Sequence, residues 1–558
     1  RTSPKEDSVN NRWKSLIALV ICLGLPNIAI ADYNVRGKGR LMYRDGGAKK
    51  PLARVRVQLM DRDIDVDEVL KKGRTDQDGR YDLSGHGEDS WTVCGGCDHP
   101  DVYIKFILNE KNRVDVRNVW GFTHFGITET REDKKGTLDF GEMLFDSDEK
   151  LYPLLFAYAQ MQYTTFTELT GDDRVPGNDG LVGIRVPEIL EAGVPWTGTD
   201  DIHWPGDFFE TNAMFHEFGH RIRHAADGDV DHFNGDLQWF RYIRHHHPRE
   251  HSNLGFAFNE GWAEYHATIL DKGALKRARE WKMDLKAGDE MEGNVTHKLW
   301  RLSMLCGGFK NGFKNMWKAL KAGKGKSIEG GPDGAQSGIH SYVQFRKTLK
   351  KTFPNSSCGD EELNFDFNFK SQPGGMSKPL TAFMPKTIQS QNVALQRKLD
   401  DLAARTAQPI KVKWSAARIA KLPASIQPAM TRLVCKRTTH ASAYNNTVHN
   451  AIRNFISTIK PAPLTGDSSY EIRIATGQAA FLKAIAEPRL QQISEIQKDL
   501  KREHDESQNV RFRAYTNRLL AKYAEHEAEI KRALATRGSE IPEILVPLGL
   551  RSNMIKSP

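Results

Sequence analysis

Two short segments constrain this chain more than any other feature of its sequence. The first contains His216, Glu217 and His220 in an HExxH arrangement, and the second, residues 258–264, contains Glu260. Histidines four residues apart on a helix share a face, where both imidazoles can reach one metal ion. Glu217 is then placed to take a proton from an attacking water. A catalytic zinc needs a third protein ligand and one open position, and Glu260 is the candidate for that ligand.

The sequence around both motifs predicts two helices. Asp207, followed by Glu210, has the pattern of a helix N-cap and its reciprocal partner. Residues 208–225 then contain no proline. A second helix is expected over about 255–273, again without proline and ending at Gly273 as a C-cap. The metal-ligand candidates therefore lie on two helices.

Glu260 and Glu264 lie four residues apart and share a face of the second helix. This arrangement resembles the glutamate zincins, the thermolysin-like clan, in which one helix supplies HExxH and a second supplies a ligand glutamate in an Asn-Glu-x-x-x-Asp pattern. The resemblance implies a zinc metallopeptidase domain over residues 150–355. Glu264 stands where the family has aspartate, and the resemblance implies that it holds the outer nitrogen of His216 or His220.

A second zinc-peptidase class, the metzincins, requires a glycine and a third histidine shortly after the second motif histidine. Those positions hold Arg223 and Ala226, so the metzincin arrangement fails. Two other interpretations stay open. The motif histidines could serve only the core or the surface, or the site could bind zinc without turnover.

Other polar residues are candidates for completing the site. The resemblance places the donor that stabilises the oxyanion downstream of the motif, at His340 or Tyr342. Residues 201–204 are expected to form the edge strand along which zincins align an extended substrate. The histidines at 245–247 are interpreted as a solvated loop. Three further residues compete for the oxyanion role: His232, Tyr265 and His266.

Residues 33–147 have the pattern of an antiparallel β domain. Residues 55–59 alternate between apolar and polar side chains, and residues 136–141 begin a closing strand. The segments 51–59 and 75–85 resemble the nematode transthyretin-like family of secreted β-sandwiches. This resemblance implies a binding or adhesion module and brings no catalytic residues with it.

Residues 1–31 have the pattern of a secretory signal peptide, with basic residues before a short apolar run and a small-residue end at Ala31. A membrane anchor is the alternative, although Pro26 and the short run argue against a stable span. A start upstream of the first residue stays open. Of the six cysteines, one lies in this segment, which leaves an odd number and at least one free or intermolecular thiol. Cys94 and Cys97 are expected to form a short disulfide loop, with a redox pair as the alternative.

Residues 356–558 are expected to contain a linker and a helical carboxyl-terminal region. Residues 389–407 and 479–537 have helical character, with a break expected at Pro488, and a helical hairpin or small bundle is the plain interpretation. The net charge of +9 favours anionic surfaces, but no nucleic-acid motif accompanies it. Hydrophobic residues make up 39% of the chain and charged residues 27%, which is typical of a globular protein.

The sequence as a whole predicts a multidomain α+β protein: an antiparallel β-sandwich, an α-rich zincin domain and a helical tail. The predicted function is a secreted, zinc-dependent peptidase that acts on a peptide or protein substrate. His216, His220 and Glu260 would hold Zn²⁺ and Glu217 would act as general base. The alternative is a noncatalytic secreted binding or adhesion protein with an inert or structural zinc site. No nucleic-acid partner and no membrane span in the mature chain are expected.

Overall fold

The structure of the protein is a computed structural model. It describes residues 32–62, 67–88, 99–118, 123–132, 134–145, 151–173, 175, 180–186, 195–197, 201–205, 209–227, 248–249, 251–270, 288–323, 338–360, 419–420, 422–459, 469–535 and 545. Several predictions lie outside these residues: the signal peptide at 1–31, the Cys94 and Cys97 pair, the N-cap Asp207, the C-cap Gly273, His232, the histidines at 245–247 and the helix at 389–407.

The amino-terminal part is rich in strands and the remainder is rich in helices. The strands are β1 (Asp32–Asp45), β2 (Ala48–Pro51), β3 (Arg56–Asp61), β4 (Glu68–Arg74), β5 (Arg80–Glu88), β6 (Val102–Ile107), β7 (Asn109–Glu110), β8 (Val114–Asn118), β9 (Phe125–Ile127), β10 (Gly136–Phe145), β11 (Val182–Val186), β12 (Trp196–Thr197) and β13 (Asp201–His203). The helices are α1 (Leu151–Thr170), α2 (Thr211–Asp227), α3 (Leu254–Leu270), α4 (Glu292–Leu305), α5 (Gly308–Ala322), α6 (Tyr342–Thr352), α7 (Gln427–Ile459), α8 (Ser469–Glu506) and α9 (Val510–Ala535). The predicted α+β class is confirmed.

Two four-stranded sheets form the front region. One has the order β10-β1-β2, with β5 also paired to β1, and the other has the order β4-β3-β6-β9. The predicted antiparallel pairing holds for these strands, except that β1 and β10 run parallel. Apolar side chains of both sheets share one core, which includes Leu41, Val57 and Ile104. A β-sandwich is therefore present at the front, with one parallel pair that the sequence pattern did not indicate.

The turn between β4 and β5 forms where the sequence predicted it. The Asp76 side chain accepts hydrogen bonds from the backbone N–H groups of Asp78 and Arg80, at 2.9 and 2.8 Å. Gly79 adopts a φ of +74°, a conformation that residues with a Cβ rarely adopt. The Asp76 carboxylate and Gly79 together reverse the chain direction. The following strand, β5, then pairs with β1.

A third sheet joins the front region to residues 151–360, which carry the candidate metal ligands and are called the candidate metal region below. Its order is β12-β13-β11-β8-β7, and β8 pairs in parallel with β11. Its apolar face, which includes Val116, Ile184 and Ile202, belongs to the same core as α1 and α2. The domain boundary at 147 stays a prediction, although the hydrogen bonds of this sheet cross it.

The expected edge strand is not at the edge. Residues Asp201–His203 form β13, which pairs with β11 on one side and β12 on the other. The prediction that residues 201–204 form the edge strand is therefore wrong. The two-residue strand β12 (Trp196–Thr197) takes that position, and no periodicity marks so short a strand in the sequence.

A disulfide links Cys306, at the end of α4, to Cys358 after α6. Cys435 is exposed and carries a free thiol, in keeping with the odd number of cysteines. The disulfide therefore ties the end of α4 to the segment that follows α6. Sequence alone did not indicate this pairing.

The carboxyl-terminal helices α7, α8 and α9 pack around a separate apolar core, which includes Ile452, Ile485 and Tyr523. The predicted helical bundle is confirmed, but the predicted break at Pro488 is wrong, because α8 continues through this proline. The helix α7 was not anticipated. Within the described residues, no helix is both long enough and apolar enough to span a membrane.

Candidate metal centre

The helix α2, which carries the two motif histidines, begins at Thr211 rather than at residue 208 as predicted. The second, α3, begins at Leu254, and Asn253 acts as its N-cap. The Asn253 side chain accepts a hydrogen bond of 2.7 Å from the backbone N–H of Phe256, which satisfies a donor that the first helical turn leaves without a partner. Both helices are therefore present close to their predicted bounds.

Gly219 allows α2 and α3 to approach closely. A Cβ at Gly219 would lie 2.9 Å from the Cα of Ala263 and 3.1 Å from its carbonyl oxygen. The first distance is shorter than carbon atoms tolerate, so the glycine within the HExxH motif is needed for the two helices to pack. The packing brings His216 and His220 on α2 against Glu260 on α3.

Three ligand atoms converge at this helix crossing. His216 Nε2 lies 3.1 Å from Glu260 Oε2 and 3.0 Å from His220 Nε2. His220 Nε2 lies 3.3 Å from Glu260 Oε2. Donor atoms that surround a tetrahedral zinc at about 2.0–2.1 Å lie roughly 3.3–3.4 Å from one another. The observed separations are close to this value, so the three residues could hold one metal ion. Within the described residues, the group of three or more converging histidine, cysteine or carboxylate ligands is His216, His220 and Glu260.

The electrostatic environment of the centre favours a cation. Burial by itself lowers the pKa of His216, but hydrogen bonds and charge interactions with Glu260 and Glu264 outweigh burial and raise this pKa well above its ordinary value. Two carboxylates beside a buried imidazole therefore hold a proton on it. A metal ion supplies the same positive charge, which is why such a site suits one.

Glu264 lies beside the outer nitrogen of the first motif histidine. Its Oε1 is 3.4 Å from His216 Nδ1, one helical turn beyond Glu260 on α3. A carboxylate this close favours the tautomer that carries the proton on Nδ1, which leaves Nε2 as the nitrogen with a free lone pair. The structure thus places Glu264 where the sequence analysis expected it, and selects His216 rather than His220 as its partner.

Glu217, the candidate general base, is held by a residue that the sequence analysis did not single out. The Thr197 hydroxyl lies 2.7 Å from Glu217 Oε2 and 2.9 Å from the Glu217 backbone carbonyl. Both residues are buried. Thr197 belongs to β12, and a lone threonine in a two-residue strand gives no signal in the sequence.

Two of the competing oxyanion donors face the protein core. His266 Nδ1 lies 3.0 Å from the backbone carbonyl of Phe215, and burial chiefly lowers the pKa of His266 to about 4, so this imidazole is neutral. Burial also raises the pKa of Tyr265, whose ring packs near Trp262 and Phe313. Both side chains lie on α3 and are buried in the protein core.

The segment that carries His340 and Tyr342 lies against α2. The buried guanidinium of Arg223, on α2, donates to the Ile339 carbonyl and lies 5.0 Å from the centre of the Phe258 ring on α3. Arg223 therefore ties this segment to both α2 and α3. The sequence pattern around Arg223 gave no indication of this structural role.

His340 and Tyr342 flank the start of α6. The His340 backbone N–H donates to Gln344 Oε1 at 2.7 Å, and Ser341 caps the helix by accepting from the Gln344 N–H. The Tyr342 ring lies 5.4 Å from Lys298 Nζ, and burial chiefly raises the pKa of Tyr342 to about 12. Its phenol therefore keeps its proton at neutral pH. The oxyanion role of these two residues stays a prediction.

Comparison with known proteins supports one part of the chain. Residues 38–116 match the transthyretin-like family. Residues 38–116 are therefore transthyretin-like, as the segments 51–59 and 75–85 predicted. The match ends inside β8, the strand that pairs in parallel with β11.

The other comparisons add little. No curated protein matches the chain. Among solved structures, the chain is similar to a 9R-lipoxygenase from Cyanothece, with 18% identity and a TM-score of 0.15. The similar region covers 30% of this chain and 31% of the lipoxygenase chain, so it spans less than a third of either protein. A likeness of this size carries no argument about fold or function.

Proposed function

We propose that the protein is a zinc-dependent peptidase in which His216, His220 and Glu260 hold the zinc ion. The observation that carries this assignment is the convergence of their three ligand atoms to within 3.0–3.3 Å of one another, and Glu217 directly follows the ligand His216 in the sequence. Two imidazoles and one carboxylate form a donor set that catalytic zinc uses in peptidases, with a fourth position left for water or substrate. A structural zinc site would fill all four positions with protein ligands.

Each residue of the centre has a chemical task in this assignment. Zinc, when bound, polarises the substrate carbonyl and makes the attacking water more acidic. His216 and His220 would hold it through Nε2 as neutral imidazoles, and the carboxylate of Glu264, 3.4 Å from His216 Nδ1, would keep the proton on Nδ1 so that Nε2 stays unprotonated. Glu217 takes the proton of the attacking water on its carboxylate and then passes it to the leaving amine.

Export from the cytoplasm belongs to the same proposal. The signal-peptide pattern of residues 1–31 motivates it, and the Cys306–Cys358 disulfide supports it, because disulfides persist mainly in oxidising compartments. We expect secreted protein to begin at Asp32. Amino-terminal sequencing that finds residues 15–31 retained in a membrane fraction would favour the anchor.

The variant Glu217→Gln separates a peptidase from a noncatalytic binding protein. It keeps the size of the side chain and leaves the three metal ligands in place, so zinc content should stay at about one ion per chain. Hydrolysis of a peptide library should fall by about 10²-fold or more, the usual scale of general-base catalysis. The exposed Glu168→Gln on α1 is the matched control and should cleave like the wild type.

Mass spectrometry of the digested library gives both the rate and the cleavage preference. If the wild type with full zinc cuts no peptide, the peptidase assignment is wrong and the noncatalytic alternative takes its place. If wild type and Glu217→Gln cut equally, Glu217 is not the base.

A further inference from the structure

We infer that Thr197 positions the general base Glu217, and that it does so by fixing which carboxylate oxygen is free to take a proton. This inference rests on the proposed function for its catalytic meaning. The contact itself stands on geometry alone. The Thr197 hydroxyl is 2.7 Å from Glu217 Oε2, and both side chains are buried at the junction of β12 and α2.

The hydroxyl has a choice of two acceptors on the same residue. Besides Glu217 Oε2, it lies 2.9 Å from the Glu217 backbone carbonyl. A threonine hydroxyl has one hydrogen to donate. The carboxylate is the stronger acceptor when ionised, because hydrogen bonds to charged groups are shorter and stronger than those to neutral groups. The shorter of the two distances is to the carboxylate, in agreement with this preference.

Donation to Oε2 leaves the second oxygen available. No hydrogen bond to Glu217 Oε1 is present from the described residues. Oε1 is therefore the oxygen that takes the proton of the attacking water, while Oε2 stays anchored to the sheet. When the proton later moves to the leaving amine, it leaves from the same oxygen, so the side chain does not need to turn between the two steps.

The anchor comes from a different element than the metal ligands. His216, His220 and Glu260 lie on helices, whereas Thr197 lies on the edge strand of the shared sheet. A glutamate side chain has three rotatable bonds, and without an anchor its carboxylate samples several positions. Misplacement of a catalytic group by about 1 Å can cost up to about 10²-fold in rate. Thr197 is thus a positioning residue, which acts on the reaction only through Glu217.

The kinetic test uses two substitutions at this position. Thr197→Val keeps the shape of the side chain and removes the hydroxyl, and we expect kcat to fall roughly ten- to a hundredfold with KM changed less than about twofold. Thr197→Ser restores the hydroxyl and should recover most of kcat. Zinc content should equal that of the wild type in both. Thr268→Val is the matched control: it removes a buried hydroxyl on α3 that donates, within the described part of the chain, to the Tyr265 carbonyl, and its kcat should equal that of the wild type.

A second measurement does not depend on activity. The protection of the β12 and α2 backbone amides against hydrogen exchange is measured in zinc-loaded Thr197→Val, Glu217→Ala and the double variant, as a double-mutant cycle. If the hydroxyl bonds the carboxylate, Thr197→Val lowers this protection less in the Glu217→Ala background than in the wild type. If the decrease is the same in both backgrounds, the hydroxyl serves only the backbone carbonyl and the inference is overturned.

The two measurements separate the possible failures. A wild type that cuts no peptide, together with a non-additive cycle, refutes the peptidase function but supports the anchoring of Glu217 by Thr197. Normal kcat in zinc-loaded Thr197→Val refutes the positioning role, whatever the cycle shows.

Discussion

Replacing Asp201 by asparagine should loosen the sheet that the front region and the candidate metal region share, with the order β12-β13-β11-β8-β7. The Asp201 carboxylate on β13 lies 2.5 Å from the Arg185 guanidinium on β11 and 3.4 Å from that of Arg117 on β8. Arg117 also pairs with Asp115, at 2.6 Å. All four side chains are nearly buried on the polar face of the sheet, so this is a charge network that spans three strands.

The magnitude follows from the distances and the burial. At an effective dielectric constant of about 20, unit charges at these two distances attract by roughly 7 and 5 kcal/mol. The cost of burying the charges, several kcal/mol per ion, cancels much of this attraction. Removing one partner from a buried network leaves the desolvation cost of the others, so the net loss is about 3–5 kcal/mol. In Asp201→Asn, Arg117 keeps Asp115 as its partner, whereas Arg185 loses the carboxylate that it contacts.

Hydrogen exchange is the suitable assay, because one free energy of unfolding is not defined for a chain with several cores. If β11 and β13 open locally, a loss of about 3–5 kcal/mol makes their backbone amides exchange roughly 10²- to 5 × 10³-fold faster. The control Asp82→Asn removes an exposed ion pair with Arg36 and should leave these amides unchanged. Exchange rates in Asp201→Asn within threefold of the wild type would refute this account of the network.

The same carboxylate predicts a pH dependence. Burial by itself raises the pKa of Asp201, but the charges of Arg185 and Arg117 outweigh burial and hold this pKa below its ordinary value. A depressed pKa in the folded state contributes stability above the ordinary aspartate value of about 3.9, and this contribution is lost as the pH falls below that value. Between about pH 4 and 2, exchange in β11 and β13 should therefore accelerate more in the wild type than in Asp201→Asn.

Three further predictions concern the metal centre and the disulfide. Glu260→Ala should lower zinc content sharply in elemental analysis, and full zinc in that variant would remove Glu260 from the ligand set. Glu264→Gln should keep zinc but weaken its affinity by about 10- to 100-fold in a chelator competition, since the carboxylate that orients His216 is lost; unchanged affinity would deny Glu264 this task. Cys358→Ser opens a loop of 52 residues and should destabilise the candidate metal region by about 4 kcal/mol in the chain-entropy picture. Faster hydrogen exchange in α4 and α6 would report this loss, and unchanged exchange would contradict it.

The parts of the site that were predictable are the parts whose geometry is local. His216 and His220 are four residues apart, so the helical repeat alone places them on one face. Glu260 and Glu264 follow the same rule on α3. The meeting of the two helices is a tertiary event, and only the resemblance to a known arrangement predicted it. The structure adds a physical reason for the approach, the absence of a side chain at Gly219.

The parts that were missed depend on contacts between distant segments. Thr197 meets Glu217 across twenty residues, and Arg223 reaches the Ile339 carbonyl across 116. Neither contact leaves a periodic pattern in the sequence. The error at Pro488 has another origin: a proline costs a helix one hydrogen bond and some local strain, and the buried side chains Ile485 and Ile493 on either side of it compensate by packing in the helical core.

The shared sheet changes how the front region is understood. The sequence resemblance presents residues 33–147 as a separate binding module, yet β8 from this region pairs with β11, β11 pairs with β13, and β13 pairs with β12. The strand β12 carries Thr197, which contacts Glu217. A continuous set of hydrogen bonds therefore runs from the transthyretin-like domain to the proposed general base. Because an exposed β11 edge would leave unpaired backbone groups, a fragment that begins at residue 150 should not fold as the intact protein does. The front domain is therefore structurally continuous with the candidate site.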